Sequence, residues 1–170
     1  MTTAVVWEGD ADSPTVLVLD PTDPPAAGAE LPPGWDPLAR RRQVVWCRLA
    51  APDALAEASR LLGDPDALGR PIDVVLPGGA EKDPASRLLR RHAGAVRSVV
   101  LIDAAPEPTG ADGVAGGAVP VHHAGDVSLR GRSPDGEDVC ADVQRALDEL
   151  DRTEVRPPHT DQPRPRPGDS

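Results

Sequence analysis

Ile72-Asp73-Val74-Val75-Leu76-Pro77-Gly78-Gly79-Ala80-Glu81-Lys82-Asp83-Pro84-Ala85-Ser86-Arg87-Leu88-Leu89 carries the reading of the fold. Ile72 to Leu76 is a short apolar run of strand length, interrupted only by Asp73. Pro77 to Glu81 is a turn. Asp83 is suited to cap a helix, and Pro84 fits the first helical turn. Ala85, Leu88 and Leu89 then recur at helical spacing, and Gly94 is expected to stop the helix. Ser98-Val99-Val100-Leu101-Ile102 reads as the next strand. Strand, helix and strand in so short a stretch predict a parallel pair joined by a crossover helix.

The same alternation runs outward in both directions. Thr3 to Trp7 reads as a first strand, and Thr15-Val16-Leu17-Val18-Leu19 as a second, apolar after Thr15 and so covered on both faces. Asp20 to Pro33 is a proline-rich loop, and Trp35 to Arg40 a short helix. Gln43-Val44-Val45-Trp46-Cys47 is a third strand. Asp53 to Leu62 follows as a helix, with Leu55, Ala58, Leu61 and Leu62 inward and Gly63 just past its end. Pro106 to Gly117 is a loop. Ala118 to His122 is a sixth strand, for which Pro120 favours an edge position. Glu137 to Leu150 is the last helix, with Val139, Val143, Leu147 and Leu150 on one stripe. These elements predict an α/β domain over 1–152. Its expected form is a three-layer sandwich on a mainly parallel sheet of about five or six strands. Residues 153–170 are Pro-rich and charged, and are expected to be a disordered tail.

Composition narrows the function classes. The 170 residues include no Phe and no Tyr, so the core must be built from Val, Leu, Ile and Ala around three Trp. Only Lys82 among the 18 basic residues is lysine, a bias of GC-rich, bacterial coding. A net charge of -10 opposes nucleic acid or an anionic membrane surface as partner. No run is apolar enough to span a bilayer, and no leader precedes the first strand. Cys47 and Cys140 lack metal-site spacing, which predicts reduced thiols and a cytoplasmic setting. No cofactor is expected.

Residues Trp7 to Pro106 resemble the core of the α/β-hydrolase family. Trp7-Glu8-Gly9-Asp10 through Leu19-Asp20 is similar to the opening hairpin of that fold. Ala85 to His92, followed by Val96 to Asp103, is similar to the helix after the nucleophile elbow and the strand beyond it. The resemblance implies a lidless hydrolase-like core with its chemistry on the turn after Leu76. That chemistry needs a serine in a G-x-S-x-G turn. Here Gly79 falls at the nucleophile position, between Gly78 and Ala80, and Pro77 and Glu81 replace the outer glycines. The family's oxyanion-hole strand ends in His-Gly, but here it ends in Asp20-Pro21: a carboxylate and a residue with no amide hydrogen. Asp126 lies near the family's acid position. No histidine follows it before His159 in the tail.

Three weaker constellations stand beside this reading. His122-His123 with Asp126 pairs imidazoles and a carboxylate, although neighbours on a strand point to opposite faces. Gly78-Gly79-Ala80 before a helix has the form of a phosphate cradle, but Glu81 and Asp83 flank it with like charge. Asp20, Asp23 and Asp103 fall at strand ends, where carboxylates gather around cations and also simply close strands. The expectation is a pseudoenzyme: a non-catalytic domain that binds a protein partner or a second copy of itself. The alternatives are an enzyme or small-molecule binder with a rearranged site at Asp20, His122, His123 and Asp126, or a decayed paralogue.

Overall fold

The structure is a computed structural model, and it describes residues 4–20, 30–77, 84–102, 121–124 and 137–155. Among the described residues six strands form one sheet: β1 (Val5–Glu8), β2 (Thr15–Asp20), β3 (Gln43–Arg48), β4 (Ile72–Pro77), β5 (Ser98–Ile102) and β6 (Val121–Ala124). Their order across the sheet is β1-β3-β2-β4-β5-β6. Every neighbouring pair is parallel except β1 with β3. The helices are α1 (Asp36–Ala39), α2 (Ala54–Gly63), α3 (Pro84–Arg91) and α4 (Glu137–Val155).

The alternation of each strand sorts the core into two layers. Leu17, Leu19, Val45, Cys47, Val74, Leu76, Val99 and Leu101 face α2 and α3. Val16, Val18, Val44, Trp46, Val75, Val100 and Ile102 face α1 and α4. This is the expected α/β sandwich, with helices on both faces of a mainly parallel sheet. The inward stripes of α3 and α4 are those expected, and Cys140 joins the α4 stripe. Trp35 packs edge-on against Trp46, with ring centroids 5.1 Å apart at 80°. That one aromatic pair supplies bulk that the small aliphatic residues around it cannot.

β1 and β2 do not form the expected opening hairpin. All six residues of β2 are buried, and parallel ladders to β3 and β4 occupy both of its edges. β1 therefore joins the far side of β3, pairing Val5 with Cys47 and Glu8 with Val44. Several ends shift as well. β6 is described over 121–124; residues 118–120 of the expected strand lie outside the described residues, and among those described β6 lies at the sheet edge. α2 starts at Ala54, because Asp53 stands outside it in left-handed backbone (φ 65°), which aspartate tolerates. Gly63 is the last residue of α2 rather than its cap. α3 ends at Arg91, and Gly94 sits in a following 3-10 turn, Ala93–Ala95. α4 continues through Val155, past the boundary expected at 152, and residues 156–170 lie outside the described residues.

Two glycines are required by close approach. Gly9 has φ +98° at the turn leaving β1, and a Cβ there would strike the carbonyl oxygens of Arg42 and Ala39. At Gly69 a Cβ would run into the carbonyl oxygen of Ser13 and lie 2.9 Å from that of Ala11. Both obstacles are backbone, so neither can swing aside. Gly69→Ala is expected to lower stability by roughly 1–3 kcal/mol. Gly94→Ala, where a Cβ meets nothing within 4 Å, is expected to change stability little. Urea unfolding of both variants checks the contrast.

Candidate functional site

Ligands of sheets like this one bind at the carboxyl ends of the strands. Asp20 closes β2, and its register partner Arg48 closes β3. Both are buried, and both fall on the same face as Trp46, two residues before Arg48. Trp46 Nε1 donates to Asp20 Oδ2 at 3.1 Å. Arg48 Nη2 donates to the carbonyl oxygen of Glu30 at 3.4 Å, and the amide of Leu49 donates to that of Asp20 at 2.8 Å. Asp20 is thus tied into the packing of the β2 and β3 ends.

The other residues singled out do not gather around it. His122 pairs in register with Val100 and His123 with Leu101, on the edge strand β6. β5 and β4 separate that strand from β2. The two histidines occupy successive positions of one strand, which alternate across the sheet. Gly78, Gly79, Ala80, Asp23, Asp103 and Asp126 lie outside the described residues. Among the described residues no group of three His, Cys, Asp or Glu has the spacing of a metal site.

The strongest polar cluster lies at the opposite, amino edge of the sheet. Asp73, the second residue of β4, is fully buried. Its Oδ1 accepts from Arg97 Nε at 2.9 Å and from Ser98 Oγ at 2.6 Å. Its Oδ2 accepts from Arg97 Nη2 at 2.5 Å, and Arg42 Nη1 lies 3.9 Å away. Arg97 Nη1 reaches Asp151 Oδ1 at 2.9 Å, and Arg42 Nη2 bonds the other oxygen of Asp151. Two arginines and two aspartates therefore join β4, the residue before β5, the residue before β3 and the last turns of α4. The sequence signal was the single charge inside Ile72-Asp73-Val74-Val75-Leu76. Of its partners, Arg42 comes from the run Arg40 to Arg42, and Arg97 and Ser98 precede and open β5.

A serine and a histidine also meet without having been expected. Ser59 Oγ, in α2, lies 2.9 Å from His92 Nε2, just after α3. Burial and the neighbouring Arg91 both lower the pKa of His92, which favours the neutral ring. Ser59 is a mid-helix residue, and the backbone amides around it are spent on the helix itself. The pair ties α2 to the residue that follows α3.

Two depressions are formed by described residues. One, of about 410 Å³, borders Arg70, Pro71, Gly94, Ala95, Val96 and Arg97 at the amino edge. The other, of about 250 Å³, lies between α1 and α4 against Pro33, Gly34, Pro37, Cys140 and Gln144. Neither reaches Asp20. Burial opposes thiolate formation at both cysteines. Burial, with Glu57 and Asp20 nearby, pushes the Cys47 thiol up to about 12, and burial raises Cys140 too.

No family model, no curated protein and no solved structure matches this chain. Among the described residues no helix is long and apolar enough to cross a membrane.

Removing the Asp73 carboxylate takes the buried acceptor from Arg97 and Arg42 and leaves them sharing Asp151. Asp73→Ala is expected to cost roughly 3–5 kcal/mol, whereas Asp151→Ala, whose carboxylate is half exposed, is expected to cost less. Denaturant midpoints of the two variants rank them. The thiols give a second expectation. A thiol whose pKa is raised by folding stabilises the folded state below its ordinary value near 9.0, and that contribution fades as pH climbs towards about 12. Stability should therefore fall more steeply above pH 9 in the native sequence than in Cys47→Ala, where Cys140 alone contributes. Disulfide-exchange reagents at neutral pH should label neither cysteine until the chain is unfolded.

Proposed function

We propose that the chain is a non-catalytic α/β-hydrolase-like domain, without a lid, that acts by binding a protein partner or a second copy of itself. The observation that carries this reading is the fate of Asp20. It stands where an oxyanion hole would need amide donors. Instead it brings a buried carboxylate, bonded to Trp46, with Pro21 next in the chain. The strand-to-helix connection from β4 to α3 supports the same reading. It spans residues 78–83, the place of a nucleophile elbow, and contains no Ser or Cys. The two buried, unpaired cysteines suit a reducing, cytoplasmic setting.

The sheet gives such a domain something to offer. Among the described residues it ends in an edge strand on each side, and edges are where sheets recruit further chain. The test has two arms. Purified protein is assayed on ester, thioester and phosphate substrates with and without divalent metal, and native mass spectrometry reports its assembly state. No turnover above the uncatalysed rate, with a defined complex, is the expected result. Turnover by the monomer that disappears in Asp20→Asn would overturn the proposal.

A further inference from the structure

β1 is the strand at one end of the sheet, and its pairing phase is fixed. The amide of Arg48 donates to the carbonyl oxygen of Ala4 at 2.8 Å. In an antiparallel ladder the hydrogen-bonded pairs then fall at every second residue. Ala4, Val6 and Glu8 turn their backbone groups to β3. Val5 and Trp7 turn theirs outward, and among the described residues no strand lies beyond them. Trp7 is 42% exposed and is the one exposed large hydrophobic side chain among the described residues. Val5 and Trp7 share a face, two residues apart.

We propose that a second copy of this chain adds its own β1 antiparallel to this edge, across a two-fold axis centred on Val6. The proposal rests on the self-association arm of the reading above. The edge is its own complement in this register. Each Val5 meets the second copy's Trp7, and both such pairs exchange both of their backbone hydrogen bonds. An aromatic side chain against a β-branched one is a favoured cross-strand pair, and the match occurs twice. Charge does not oppose it locally: Glu8 faces Ala4 of the other strand, so no carboxylate meets a carboxylate despite the net charge of -10. A shift of two residues in one direction would set Trp7 against Trp7 and pair Val5 with Gly9. In the other it would pair Trp7 with Thr3. Centring on Val6 keeps all four residues of β1 within the pairing.

Light scattering on the eluting full-length chain tests this, with Trp7→Lys and Val5→Pro alongside. Trp7 is exposed, so the lysine leaves the core alone while putting a charge on the edge. Proline at position 5 deletes an outward amide and leaves the bonds to β3 intact. The wild type is expected at twice the chain mass of 17.8 kDa, and both variants at the single-chain mass with unchanged circular dichroism. If Val5→Pro fails to fold, Trp7→Lys decides alone. A wild type that stays at the single-chain mass at all concentrations overturns the proposal. A dimer that survives both substitutions overturns this edge as the interface, while leaving the self-association reading standing.

Discussion

A buried carboxylate needs countercharge, and much of this fold is arranged around that need at Asp73. The residue sits near the start of an interior strand, where a lone negative charge would be prohibitive. Arg97 and Ser98 meet it from the neighbouring strand, and Arg42 approaches from the start of β3. Each arginine then needs a further acceptor, and Asp151 answers both. The position of the last turns of α4 along the sheet follows from that demand. The apolar stripe of Val139, Val143 and Leu147 holds the helix to the sheet but would tolerate some sliding. The ion network does not, because guanidinium and carboxylate meet in fixed planes.

The local elements were legible because their cause is local. Apolar runs of strand length and stripes at helical spacing depend on neighbours in sequence, and the interior strands were found to within a residue or so at each end. The order of strands was not legible, because it is settled by competition between distant segments. Nothing in Val5-Val6-Trp7 says that its partner is β3. That follows only once β2 has both edges occupied by parallel neighbours. Glycine punctuation misled for a related reason. Gly63 and Gly94 look like helix stops, whereas Gly9 and Gly69 are the ones constrained, by carbonyls brought close from elsewhere in the chain.

The candidate site was legible in part. Asp20 was singled out as a strand-end carboxylate, but its tie to the indole of Trp46 could not be read from spacing, since the two come together only through the β2–β3 register. Asp73 stood in plain view as a charge within an apolar run. Its partners could not be chosen among the many arginines without the sheet in place. The two edges of the sheet thus divide their labour. The amino edge concentrates the ionic ties, and the carboxyl edge, where chemistry would be sought, holds a carboxylate already engaged.

The pairing of β1 with β3 also sets a schedule for the growing polypeptide. β1 leaves the ribosome before its partner, and it has no berth until Gln43 to Arg48 has emerged and settled beside β2. At ordinary rates of synthesis that is a wait on the order of seconds. Throughout it Val5, Val6 and Trp7 are an unattached apolar segment of the nascent chain. The acidic residues that follow, Glu8, Asp10 and Asp12, keep that segment solvated until its place opens.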